Sequence, residues 1–441
     1  VLGCCLGCLR RLHRHLPDSR LTRVLRRRFQ DWLINSADVI VVGAGPSGLM
    51  AASCAAARGL SVLVLEKQPY AGAKFCYSGM GAAPVSNTKI DVSRFHGRNA
   101  RFVSDALAAL PLPELRKWFA DAGLQLEDAP YYGIVQAPGG GGEVIEALGQ
   151  HLESWHDSQH VTGIERAADG FVVTRESDTP LKAKAVVLAT GAANLPQLGG
   201  SNDGCRIAQS LGHSIEAETA ALVPISVAED WVTKIPGVWM DVGLQVMHGK
   251  RSLANSVGSM LFTGSGLTGE VVFNVSRVIE PALSAGAELE LAVNFHPNLS
   301  SEDVAQWMFR VFGERSREPV DRTIDHILPA RLGIELLRRQ KVKRGARVMQ
   351  MDERQREGLL REMLDTRLKI RGTLGLRAAE GVSGGVNVRE VDPRTFESKL
   401  VPNLFMVGQL LDVQGEWGGF EQHFSLASGW LAGHSVLKNS D

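Results

Sequence analysis

Asp38-Val-Ile-Val-Val42 runs directly into Gly43-Ala-Gly45-Pro46-Ser47-Gly48. The apolar, β-branched run predicts a short strand buried on both faces. Leu49-Met-Ala-Ala-Ser-Cys-Ala-Ala-Ala57 then predicts a small-residue helix, which Arg58-Gly59 ends. Ser61-Val-Leu-Val-Leu65 reads as a second strand closed by Glu66, eighteen residues past Gly48. A GxGxxG between strand and helix, with an acid at that distance, is the context in which the fingerprint specifies a dinucleotide-binding βαβ unit. Gly43 permits the tight turn, Gly45 lets a pyrophosphate approach the backbone, and Gly48 lets helix pack on strand. The helix N-terminus presents free N–H groups and partial positive charge to phosphate. Glu66 can accept from both ribose hydroxyls, and its charge would repel a 2′-phosphate.

Outward from this unit, Gly72 to Gly81 is a loop without secondary-structure periodicity. Val161–Arg166 and Phe171–Arg175 read as a polar hairpin, and Ala185-Val-Val-Leu-Ala189-Thr190-Gly191 as an apolar strand ending in a small-residue turn. Near the C-terminus, Asn403-Leu-Phe-Met-Val-Gly408 is another strand, leading to Asp412, and Gly418-Gly419 opens a final helix, Phe420 to Leu437. Between them, residues 214–273 carry alternating or β-branched runs. Helical patterns follow at Ser301–Arg315, with Ser301 as N-cap, at Arg322–Lys341 and at Asp352–Asp365. Trp231, Trp239 and Phe262 are either core or pocket lining.

The chain has 441 residues, enough for about three domains. Its 48 basic and 48 acidic residues balance, which argues against a dedicated nucleic-acid binder. No run of eighteen apolar residues occurs, so no transmembrane helix is expected. The six cysteines cluster early rather than spreading as a disulfide framework would, which suggests a reducing compartment. Residues 1–36 stand apart, with eight arginines and only Asp18 and Asp31 as acids. They read as a disordered or targeting leader: the chain is expected in the cytoplasm, or in mitochondria if the leader is a presequence. Cys4, Cys5 and Cys8 are alternatively lipidation sites. The one CxxC, at Cys5–Cys8, has no second pair, no HExxH occurs and no metal is expected. No hydrolase triad is legible. No second βαβ nucleotide-binding unit for tightly held NAD(P)H is legible, so NAD(P)H is expected only as a transient co-substrate.

The order of fingerprint, Glu, Ala-Thr-Gly strand and late strand-Gly-x-x-x-Asp is the plan of flavoproteins of the two-dinucleotide-binding-domain type. More closely, the chain resembles the aminoacetone-oxidase-like family of FAD enzymes, which includes BaiN-type 3-dehydro-bile-acid reductases. Matching segments include Gly72–Asn87, Gly199–Cys205, Ala221–Ile225, Met260–Gly269 and, longest, Asp392 through Gly433. The resemblance implies an α/β Rossmann-like FAD-binding domain in two parts, 37–200 and 372–441, with an inserted β-barrel and helical substrate domain over 201–371. It implies extended FAD and a small-molecule substrate, and leaves the oligomeric state open.

Carried over residue by residue, Gly43, Gly45, Pro46, Ser47 and Gly48 should meet the pyrophosphate and Glu66 the adenosine ribose. Lys67 and Lys74 flank the cofactor, Ser78 and Gly79 cover the flavin, and Thr190 and Gly191 line the pyrophosphate side. Gly408 leads to Asp412 at the ribityl chain, and Gly418 and Gly419 aim the last helix at the pyrimidine edge. The chain also departs from the family. Ser78-Gly-Met-Gly-Ala-Ala-Pro84 replaces Ser-Gly-Gly-Gly-Arg-Cys-Asn, Gln409 replaces Glu, Phe420-Glu421 replaces Tyr-Asn, and His423 replaces Gln. The catalytic proton donor is left unknown, with Tyr77, Glu421 and His423 as candidates by position. Helix-dipole reasoning expects Glu421 ionised and His423 protonated beside it. The expected activity is hydride transfer through flavin N5, as an NAD(P)H-linked reductase of a small cyclic or unsaturated carbonyl compound. The alternatives are an amine or alcohol oxidase using oxygen, or a non-catalytic flavin-binding partner protein.

Overall fold

A computed structural model describes residues 36–438, apart from 153–154 and 177–178. The arginine-rich leader, but for Ser36, lies outside the described residues. The deciding run forms β1 (Ser36–Val42), whose Val39, Ile40 and Val41 are fully enclosed. Helix α1 (Pro46–Ala57) crosses over to β2 (Val62–Leu65), parallel to β1 with Val39 opposite Val62 and Val42 opposite Leu65. The segment expected as a plain loop closes into a short helix, α2 (Ala73–Tyr77), and a 3-10 turn over Ser78–Gly81. Five residues are too few to show a helical period, so the sequence concealed it.

The hairpin forms as β3 (Val161–Ala167) and β4 (Gly170–Arg175), and feeds β5 (Leu181–Leu188). Strand β5 lies parallel to β1 on the side away from β2, giving the order β2-β1-β5-β4-β3. The lower half of β5 takes the antiparallel hairpin, with Phe171 opposite Ala183. Helix α3 (Asp203–Ser210) packs against β3, and its Cys205, Ile207 and Ala208 join the core of this sheet. Residues just after 201 therefore pack with the nucleotide half, because α3 has an apolar face fitted to the hairpin.

Strand β6 (Ile215–Ala221) leads out of this half. The insert is a closed six-stranded antiparallel barrel: β7 (Ile225–Val227), β8 (Trp239–His248), β9 (Arg251–Thr263), β10 (Gly266–Thr268), β11 (Glu290–Asn294) and β12 (Thr366–Thr373). Closure leaves no free edge. Trp231 and Phe262 are buried in its core with rings 5.9 Å apart, whereas Trp239 is 57% exposed, so the three aromatics do not share one wall.

Helices at Glu270–Ser276 and Ile279–Ser284 join the second core, as do α4 (Ser301–Glu314), α5 (Ala330–Arg339) and α6 (Glu353–Leu364). Ser300, not Ser301, caps α4, accepting from the Asp303 amide at 3.1 Å. The helix expected over Arg322–Lys341 is broken into a turn at Val320–Thr323, a 3-10 turn at Ile324–His326, and α5. Pro329 causes the break, since it has no amide hydrogen and disfavours helical Leu328.

The chain returns through β13 (Gly381–Val386), antiparallel to β6, so these two strands form the seam between the halves. Strand β14 (Leu404–Met406) then pairs parallel with the upper half of β5, and α7 (Phe420–Ser435) packs on α1. No described helix is long and apolar enough to cross a membrane.

Candidate functional site

Where β1 turns into α1, the glycines behave differently from one another. A side chain at Gly43, which sits at φ +107°, would lie 2.4 Å from the Ala189 carbonyl oxygen. One at Gly48 would lie 2.0 Å from the Gly43 carbonyl oxygen. One at Gly45 would meet no atom within 4 Å. Gly43 and Gly48 thus hold strand, turn and helix together, and Gly45 faces a cleft. Gly45 is the N-cap of α1 and Pro46 brings no N–H, so Ser47 and Gly48 supply the first free amides of the helix.

The cleft, with about 1150 Å³ of free space open to solvent, runs across the C-terminal ends of the parallel strands. Of the expected cofactor residues, Gly43, Gly45, Pro46, Ser47, Glu66, Lys67, Lys74, Ser78, Thr190 and Gly191 line it. At its outer end the Glu66 carboxylate accepts from the Ala44 and Gln68 amides, each at 2.8 Å. These bonds fix both oxygens and leave lone pairs free for hydroxyl donors. Lys67 binds Ser201 Oγ at 2.6 Å and Asp203 at 3.1 Å. Burial would raise Asp203, but Ser201, Lys67 and His160 together hold it down at about 2.

Other expected residues are not brought to the cleft wall. Gly48 packs against Gly43 and Gly79 against Pro84, and Tyr77 is 56% exposed. The Gly408 amide donates to Ser428 Oγ at 3.1 Å. Asp412 is buried and accepts from the Arg98 amide at 3.1 Å. The Gly418 carbonyl accepts from Asn87 Nδ2 at 2.9 Å, and Gly419 caps α7 against the Ser86 backbone. His423 is fully buried with Nδ1 2.8 Å from Ser86 Oγ. The Gly418-Gly419 turn thus lies behind the wall, while the first turns of α7 reach the cleft through Gln422 and Ser425.

The inner end joins Lys74, Gln409 and Glu421 to Asn194 and Glu380, which the sequence did not single out. Lys74 Nζ donates to the Ala192 carbonyl at 2.9 Å and to Asn194 Oδ1 at 3.1 Å. Asn194 is itself buried and donates to the Ala379 and Glu380 carbonyls. Glu380 and Gln409 also line the cleft. Gln409 donates to Glu421, which is only 4% exposed. Burial, reinforced by Glu380, raises Glu421 to about 8, although Gln409, Lys74 and the Gly415 amide oppose it. Burial also pushes His423 down to about 4. The dipole expectation is therefore reversed at both residues, because a first-turn dipole of about 1 kcal/mol is smaller than the cost of ionising an enclosed group. Burial lowers Lys74 to about 8, with Glu218 and Glu421 opposing.

Among the described residues no group of three or more histidines, cysteines and acids could hold a metal. The open cradle at Gly45, the free amides of α1 and the fixed carboxylate of Glu66 fit a pyrophosphate-bridged dinucleotide. Together with the Rossmann-type sheet and inserted barrel, they define an FAD-dependent oxidoreductase of the dinucleotide-binding class. The HI0933-like protein Rossmann domain family matches residues 37–435, and the chain belongs to that family. It is 29% identical to a 3-dehydro-bile acid delta(4,6)-reductase of Clostridium scindens over 404 residues, spanning 90% of this chain and 98% of that protein. It is 24% identical to a ribosomal RNA dihydrouridine synthase of Escherichia coli, spanning 91% and 98%. Among solved structures, a 3-ketosteroid delta1-dehydrogenase from Sterolibacterium denitrificans aligns at 15% identity and a TM-score of 0.47, covering 91% of this chain and 99% of that one.

Proposed function

We propose that the protein binds FAD in this cleft and reduces a small cyclic or unsaturated carbonyl compound, with NAD(P)H as a transient electron source. Gly45, Ser47 and Gly48 would hold the pyrophosphate and Glu66 the ribose. When bound, the flavin supplies hydride transfer; this chain orients the partner and sets the proton supply. One observation carries the choice of reductase: the inner wall brings Lys74 and Glu380 together with buried Glu421. A reduction consumes a proton and an oxidation releases one. A wall whose carboxyl groups keep their protons suits the first direction. The resemblance to a reductase acting on a 3-dehydro-bile acid agrees with it.

Anaerobic mixing of the holoprotein with NADH or NADPH tests the reading through flavin absorbance. Rapid bleaching, followed by recovery on adding a cyclic enone, is the expected result. Bleaching by an amine or alcohol, with recovery only in oxygen, would replace it with an oxidase. Silence to both would leave a flavin-binding partner protein.

A further inference from the structure

Four elements converge on the inner end of the cleft. Helix α2 brings Lys74, β6 brings Glu218, the segment entering β13 brings Glu380, and α7 brings Glu421. The Glu218 carboxylate accepts from the Ala193 amide at 3.2 Å, and Gln409 stands between the cleft and Glu421. Glu218 and Glu421 lie close enough to Lys74 to support its charge, and Glu380 close enough to Glu421 to oppose its ionisation. The next cation, Lys67, is taken by Ser201 and Asp203.

An enclosed group of this composition does not carry three negative charges against one positive. It retains protons at neutral pH, because ionising a second or third carboxyl there costs more than keeping it neutral. Burial accordingly raises Glu218 and Glu380, and raises Glu421 to about 8. The innermost member has an unused atom: Glu421 Oε1 is buried and without a hydrogen-bond partner. It lies against the backbone of Gly381, where an added Cβ would be 2.9 Å away, one residue from Glu380. Among the three, only Glu380 lines the cleft, and it is half-buried.

We propose that Glu380 is the proton donor of the cleft, with Lys74, Glu218 and Glu421 behind it as the group that keeps it supplied. The inference rests on the reductase reading above and adds the residue that delivers the proton. Saturation of a conjugated carbon–carbon bond takes one hydride at the β-carbon, which bound reduced FAD would supply, and one proton at the α-carbon. The Glu380 O–H bond breaks as the α-carbon C–H bond forms. The resulting carboxylate regains its proton from the neighbouring group, and that group from water. None of the candidates drawn from sequence meets this requirement. Tyr77 points outward, while Glu421 and His423 sit behind the wall.

Two measurements on Glu380→Gln test the assignment. In infrared spectra of the protein without FAD at pH 7, the carboxylic C=O absorption of the wild type should lose one component in Glu380→Gln. An unchanged band would overturn the proposal, since Glu380 would then already be ionised. In the second, dithionite-reduced holoprotein is mixed anaerobically with 2-cyclohexen-1-one and flavin reoxidation is followed. Glu380→Gln should keep its FAD and its reduction by dithionite, yet reoxidise about a hundredfold more slowly. Glu380→Asp should recover part of the rate. Equal rates in wild type and Glu380→Gln would overturn the role of Glu380 alone. A wild type that the enone does not reoxidise, with Glu380→Gln likewise inert, would overturn the reductase reading together with its donor.

Discussion

The two ends of the cleft are built from different materials. The outer end is mostly backbone: a turn at Gly43, free amides at the start of α1, and one carboxylate tied by two amides. The inner end is mostly side chains that titrate, drawn from positions 74, 218, 380 and 421. A backbone site has fixed polarity and is intolerant of added atoms. A side-chain site tolerates conservative replacement and responds to pH. The outer end can therefore hold one kind of ligand unchanged, while the inner end sets what happens to a second one.

The sharpest break between the two kinds of site should appear within the fingerprint itself. Gly48→Val would press its Cβ to within about 2.0 Å of the Gly43 carbonyl oxygen and should abolish folding, read as loss of soluble, cooperatively melting protein. Gly45→Val projects into open space, so the protein should fold and melt cooperatively yet purify without FAD. If Gly45→Val retains stoichiometric FAD, the outer end is not the pyrophosphate cradle.

That contrast also explains what the sequence could reveal. The outer end is encoded in one contiguous stretch, Asp38 to Glu66, whose spacing mirrors the strand-turn-helix that forms. Ala185–Gly191 and Gly418–Gly419 were similarly local. The inner end has no such signal, because its residues meet only once β6 and β13 pair across the seam. Gln409 and Glu421 were visible as departures from the family pattern, but their mutual bond was not. Burial was equally hidden. Glu421 at the first turn of a helix reads as a solvated acid favoured by the dipole, until Gln409, Gly415 and Gly381 close over it. Asp412, expected at a ribityl chain, also accepts from the Arg98 amide, a contact 314 residues away in sequence that no local pattern announces.

The next effect belongs to the inner end and depends on pH. Glu421 binds its proton more tightly in the folded protein, at about 8 against an ordinary 4.5. Stability should therefore fall as pH rises from 4.5 toward 8, on the order of a few kcal/mol from this residue. His423, held at about 4, acts only below its ordinary 6.5, and with the opposite slope. Denaturant unfolding between pH 6.5 and 8 excludes His423 and leaves Glu421 with Glu218 and Glu380, which burial also raises: Glu421→Gln should remove part of the decline and match or exceed the wild type at pH 8. A decline of unchanged slope would show that Glu421 is ionised in the fold after all.

At the outer end, Glu66→Gln should weaken FAD about tenfold, or about 1.4 kcal/mol. The amide keeps one acceptor oxygen but turns an NH₂ toward either Ala44 or Gln68, both of which now donate to the carboxylate. The residue stands at the opposite end of the cleft from Glu380, so reoxidation of saturated holoprotein by an enone should be unaltered. Titration of apoprotein with FAD measures the first effect, and equal affinity would remove Glu66 from the ribose site.

Lys67 should give the smallest effect, although it lies between the two ends and was expected to flank the cofactor. Its ammonium is already committed to Ser201 and Asp203, with side chains only 27% and 17% exposed in the ion pair. Asp203 does not depend on it alone, since Ser201 Oγ, His160 and Arg206 also reach that carboxylate. Replacing Lys67 by Met keeps the aliphatic stem and removes one of several partners, so the loss of stability should be about 1 kcal/mol or less. FAD affinity should change by less than about threefold, since a neutralised lysine adds little field at a phosphate. A larger loss of affinity in Lys67→Met, equal to that of Glu66→Gln, would mean that Lys67 leaves Asp203 for the cofactor on binding. The outer end would then share the charge rearrangement that otherwise distinguishes the inner one.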